Sequence, residues 1–207
     1  MTINSQEPGR SASACEAGGS SSQRHAVGPA KLLCRRYVSA NFRALDVLVR
    51  DGNTVKAVSW LWALGMFRED QYEVLGAWPI NISPDQVIHD LHERGIEQIS
   101  AISENHGGDC TLPHLIADRW RSSPKLGVAG SAVRTFELPE LRSGNAAAER
   151  LQISITRAIK RRAPFPDDAA AEFLSRTLEK ADRRFYEAAN LPPAGVGQLV
   201  DSVCTAA

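Results

Sequence analysis

Three carboxylates in this chain stand where their type and position are suggestive. The stretch QISAISENHGG, residues 98–108, reads as a buried strand ending on an acid, Glu104, before Asn105-His106-Gly107-Gly108 turns the chain. In sheets with parallel strands, the carboxyl ends of the strands are where ligands and metals collect. Asp46 falls inside an otherwise apolar strand, RALDVLVR. An ionised carboxylate there is costly to bury unless it is paired or binds a cation; a half-exposed strand would simply turn it to water. Glu149 comes early in NAAAERLQISITRAIKRR, where the positive end of a helix favours it, although exposed helical glutamates are common.

Cations crowd the same helix. Residues 142–162 hold Arg142, Arg150, Arg157, Lys160, Arg161 and Arg162 against one acid, Glu149. Arg150, Arg157 and Arg161 share a helical face. Such a stripe suits a phosphate backbone, and equally suits a solvated face whose arginines pair with nearby carboxylates.

These residues need elements to position them. In FRALDVLVRDGNTVKAVSWLWALGMF, two apolar runs flank Asp51-Gly52, a hairpin signal, giving strands over about 42–50 and 54–66. YEVLGAWPI makes a third strand, and three strands in succession form a meander. SPDQVIHDLHERG opens a helix, with Ser83 as N-cap, Pro84 in the first turn and Gly95 at the end. A strand at 96–103 then leads to Glu104. LPHLIADRW is a short helix, and KLGVAGSAVRTFEL suggests one more strand. In the helix that carries Glu149, Leu151, Ile155 and Ala158 recur at helical spacing. A last helix follows a capping position, Asp167, with Leu174, Leu178, Ala181 and Phe185 on one face. The expected fold is α/β: a ribonuclease-H-like mixed sheet, a three-strand meander plus parallel strands, flanked by helices.

The bulk properties set bounds. The 207 residues suffice for one domain with a sizeable core. Formal net charge is zero, which excludes a chain coated in positive charge but not a local basic patch. Four cysteines without a CxxC pair fit neither a zinc ribbon nor a disulfide scaffold, and point to a reducing cytoplasm. No apolar run is long enough to span a membrane, so no membrane partner is expected. Residues 1–36 read as a disordered low-complexity lead, 37–190 as the core and 191–207 as a loosely ordered tail.

Three blocks resemble Mutator-type bacterial insertion-sequence transposases. KAVSWLWALGMFREDQYEVLGAW is similar to the region that follows the family's first catalytic aspartate, and Asp46 stands in that aspartate's place. DLHERGIEQISAISENHGG is similar to the block carrying the second acid, with Glu104 in its position and His106 and Gly108 matching the residues after it. NAAAERLQISITRAIKRRAPFPDDAAAEFL resembles the block of the third acid, which falls on Glu149. The resemblance covers roughly residues 42–190. It implies metal-dependent phosphodiester cleavage and strand transfer. Asp46, Glu104 and Glu149 would then be both the catalytic residues and the ligands of Mg2+ or Mn2+. Arg150, Arg157, Lys160, Arg161 and Arg162 would contact DNA, namely transposon ends and target, with a homo-oligomer as a further expected partner. The implied location is the cytoplasm, at the nucleoid when DNA is bound.

The chain departs from the family's pattern in three ways. The second acid is glutamate, longer by one methylene than the family's aspartate. The stretch between Glu104 and Glu149 is short and lacks the family's C..H…RN element. The family's N-terminal DNA-binding region has no counterpart here. These departures imply a truncated, internally deleted core with impaired catalysis. The alternative expectation is a non-catalytic DNA-binding remnant or regulator of transposition.

Overall fold

The computed structural model describes residue 27 and residues 31–104, 111–122, 139–166 and 169–189, with the side chains of Glu104 and of residues 139–141 left outside. The order of elements is β1 (Arg36–Asp51), β2 (Thr54–Arg68), β3 (Gln71–Pro79), α1 (Pro84–Glu93), β4 (Gln98–Glu104), α2 (Leu112–Ser122), α3 (Pro139–Lys160), β5 (Phe165–Pro166) and α4 (Ala169–Ala188). The fold is α/β with a mixed five-stranded sheet. The strands run β3-β2-β1-β4, and β5 also pairs with β1. The meander β1-β2-β3 is antiparallel, while β4 and β5 lie parallel to β1.

Turn chemistry sets the meander. Asp51 pairs with Thr54, so the loop is two residues long, and Gly52 supplies its positive φ of 59°. The second turn places Asp70 at φ 54°, a conformation that Asp tolerates better than most side chains. The Asp70 carboxylate accepts hydrogen bonds from the Tyr72 hydroxyl at 3.0 Å and from Ser143 of α3 at 2.9 Å. Gly65 answers a different need, because a Cβ there would meet the Tyr37 ring at 2.5 Å.

Strand alternation then builds two cores. Leu45, Val47 and Val49 of β1 join Trp60, Trp62 and Val74 beneath α3 and α4, packing on Leu151, Ile155, Ile159, Leu174 and Leu178. Ala40 and Phe42 join Leu61, Ala63, Leu75 and Trp78 on the other face, beneath α1 and α2. Burying each large aliphatic side chain contributes roughly 1.5–3 kcal/mol. Gln152 of α3 adds a polar pin, accepting from the Trp62 indole at 2.5 Å and donating to the Ala44 carbonyl at 3.0 Å.

The helix expected at residue 84 forms as read. Ser83 caps it and shares a capping box with Gln86, and Val87, Ile88 and Leu91 are its buried residues. Elsewhere the structure corrects the reading. β1 starts at Arg36 rather than 42 and is 16 residues long. α3 starts at Pro139, ahead of the expected NAAAER block. The β5 pairing was not anticipated; two residues carry too little pattern to read. Residues 31–35 belong to the fold rather than to a disordered lead, with Leu33 and Cys34 buried in the α1/α2-side core. Cys34, expected as a reduced thiol, is disulfide-bonded. The strand expected within 125–138, the Asp167 cap and the 191–207 tail lie outside the described residues. Among the described residues, no helix is long and apolar enough to cross a membrane.

Candidate nucleic-acid interface

The three acids sit on two strands and a helix, as expected, but the structure does not bring Asp46 to Glu149. Leu45 and Val47 both point under α3, so Asp46 between them points to the opposite face of the sheet. It is exposed there and accepts a 2.5 Å hydrogen bond from Ser59, its partner across the strand pair. Glu149 rides on α3 and is exposed on the other side. Glu104 ends β4 opposite Phe42, four residues short of Asp46, a separation of about 13 Å along the strand. The Glu104 side chain lies outside the described residues. Among the described residues, no three His, Cys, Asp or Glu side chains are grouped to hold a metal ion.

The β1 residues that do face α3 at the level of Glu104 are not acids. Asn41 pairs with Ser103 of β4, and Arg43 follows two residues on. Ser103 donates to the Asn145 side chain at 2.7 Å, and Arg43 reaches the Asn145 carbonyl at 3.4 Å. Ser39 Oγ, Asn41 Oδ1 and Arg43 Nε are buried with no hydrogen-bond partner among the described residues. Burial pulls the Arg43 guanidinium below its usual value, and the charge of Glu149 works against that shift. Glu149 and Arg43 are thus within electrostatic reach of each other. Among the described residues, Asp46 and Glu149 do not converge on one side, as the carboxylates of a two-cation centre would.

The basic residues tell a different story. α3 lies over β1 and β2, whereas α4 lies over β3 and β5. Between the two helices runs a cleft of about 1080 Å³. Arg150, Arg161 and Arg162 line one bank, and Arg176, Lys180 and Arg184 line the other. All six are exposed. Among the described residues the cleft has one acidic lining residue, Glu172, already paired with Arg176. Arg150, Arg161, Lys180 and Arg184 make no ion pair with any described residue. The floor is apolar, with Leu151, Ile155, Phe165 and Phe173, and the Arg162 guanidinium lies 5.2 Å from the centre of the Phe173 ring.

Of the five cations expected on α3, the cleft takes in Arg150, Arg161 and Arg162. Arg157 and Lys160 are exposed but do not line it. The opposite bank went unread. Its signal was present, because Arg176, Lys180 and Arg184 recur every four residues in SRTLEKADRR, the spacing of one helical ridge.

A second charged group lies on the inward side of α4. Asp182 is only 5% exposed and Glu73 of β3 only 1%. Lys31 joins them, at 2.5 Å from Asp182 and 2.7 Å from Glu73. Tyr186 donates to Glu73 at 2.5 Å, the Tyr37 hydroxyl donates to its other oxygen, and the Val74 amide donates to Asp182 at 2.8 Å. Burial, then the Glu73 charge, pushes both tyrosine hydroxyls well up, so they remain donors. Burial also raises the Asp182 carboxyl, with Lys31 opposing. Each member is satisfied by another, which makes this cluster a clasp between the segment before β1, β3 and α4.

No protein-family model matches this chain, and no curated protein matches it either.

Proposed function

We propose that this chain is a nucleic-acid-binding protein of Mutator-type transposase ancestry, built on a ribonuclease-H-like core, that holds DNA without acidic-trio cleavage. The observation that carries the reading is the cleft between α3 and α4, with six exposed cations on two banks and, among the described residues, one carboxylate that is already paired. Unpaired cations gathered along one concavity attract a polyanion, because phosphate contacts release condensed counterions. The lineage is supported by an antiparallel meander whose first strand takes β4 in parallel, and by a following helix that carries Glu149. The separation of Asp46 from Glu149 on opposite faces of the sheet argues against divalent-metal cleavage.

Two titrations test the reading. In the first, DNA binding is followed by fluorescence anisotropy across a salt series. Binding that weakens steeply with salt, and is lost when Arg150, Arg161 and Arg162 are replaced by glutamate, supports it. In the second, Mn2+ is titrated into the parent and into Asp46→Ala by calorimetry. Indistinguishable isotherms are expected, and a site present only in the parent would overturn the non-catalytic part of the reading.

A further inference from the structure

We infer that the α3/α4 cleft takes a single strand of nucleic acid rather than a duplex, an inference that rests on the nucleic-acid reading above. Shape is the first argument. The lining runs from Ala147 to Ala158 along about 17 Å of α3. Spread over that length, a volume of about 1080 Å³ makes a narrow trough. A duplex, whose major groove alone is ~12 Å wide, is too broad to enter it and would touch only the rims.

The distribution of chemistry is the second argument. Cations stand on the banks and apolar side chains form the floor. A duplex shows phosphates outward and hides its base faces. An unpaired strand offers both at once, phosphates to the banks and flat base faces to the floor. Phe173 supplies an aromatic surface, and the Arg162 guanidinium above it is a second flat group on which a base stacks. Arg176, Lys180 and Arg184 stand about 6 Å apart along their ridge, comparable to the spacing of successive phosphates in an extended strand. Small residues, Ala147, Ser154 and Ala158 on one bank and Ala181 on the other, keep the trough open.

The test compares labelled dT20 with a mixed-sequence 20-base-pair duplex, using the full chain and fluorescence anisotropy over a salt series. Three proteins are used: the parent; a triple variant with Arg176→Glu, Lys180→Glu and Arg184→Glu; and Phe173→Leu, which keeps bulk but loses the π face. Melting temperatures near the parent's establish that each variant is folded. The parent should bind dT20 at least tenfold tighter than the duplex. The triple variant should lose more than tenfold on dT20, with a salt slope shallower by about 2. Phe173→Leu should lose roughly tenfold on dT20 and little on the duplex. Equal or tighter binding of the duplex, or a triple variant that binds dT20 like the parent, would overturn the single-strand inference. The nucleic-acid reading would survive that result if glutamate at Arg150, Arg161 and Arg162 still abolished binding. Displacement of dT20 by poly-glutamate at matched charge would overturn the inference in favour of an acidic polypeptide. Binding of neither oligonucleotide would overturn both.

Discussion

Helix α4 carries charge on two sides, and the two sides behave differently. Inward, Asp182 is buried beside Glu73, and Lys31, Tyr186 and the Val74 amide supply hydrogen bonds to the two carboxylates. Outward, Lys180 and Arg184 stand along the cleft with no ionic partner among the described residues. Buried charge must be satisfied or it unfolds the protein, so its partners come from within the chain. Exposed charge faces no such demand. When exposed cations gather on both banks of one cleft, the missing partner is sought outside the chain. The comparison separates residues that hold the fold from residues available to a ligand.

The largest effect should come from breaking the clasp. Asp182→Ala leaves the Val74 amide without its acceptor and Lys31 with one carboxylate instead of two. A loss of about 3 kcal/mol is expected from urea unfolding, near the lower end for a broken buried pair. An equal effect on stability from a cleft variant would erase the distinction between the two sides.

Next comes the cleft itself. Changing Arg150 and Arg161 to alanine should leave the unfolding midpoint within error. The same change should make the salt dependence of single-strand binding shallower by about 1.4. A drop in stability instead would mean that these arginines belong with the clasp.

The clasp should also respond to pH. Burial raises the Asp182 carboxyl above its unfolded value, near 3.9. Between that value and the raised one, the folded state binds more protons than the unfolded state. This contribution to stability is therefore present in full below the unfolded value and is lost as pH rises through the folded one. Unfolding free energies measured upward from pH 3.5 should fall in that window for the parent relative to Asp182→Asn. A parallel pair of curves would mean that Lys31 fully offsets the burial.

The smallest effect is expected on the opposite face of the sheet. Asp46→Ala removes an exposed carboxylate whose hydrogen-bond partner is Ser59. Its stability should stay within about 0.5 kcal/mol of the parent. A larger change would show that Asp46 has a task that its exposure does not reveal.

Much of the scaffold was legible from local pattern. The Asp51-Gly52 turn, the Ser83 cap, the apolar alternation of the meander and the helical repeat at Leu151 and Ile155 each express a rule that acts over a few residues. The beginning of β1 was misread because RRYVSANF mixes polar and apolar residues. Ser39, Asn41 and Arg43 are nevertheless buried there, which no hydropathy pattern announces. For the site, the sequence placed acids on the right elements, yet it could not say which face each would occupy. A strand residue changes faces with a shift of one position, so Asp46 and Leu45 are neighbours in sequence and on opposite sides of the sheet.

The sequence by itself determined the elements, their turns and the concentration of positive charge on the third helix, because these depend on spacing along one chain. Only the tertiary structure decided that Asp46 and Glu149 stay apart, that Lys31 reaches across to Asp182, and that α4 brings a second basic bank opposite the first. Those outcomes depend on which faces pack together. That is set by the summed burial of the two cores and not by any single residue's neighbours in sequence.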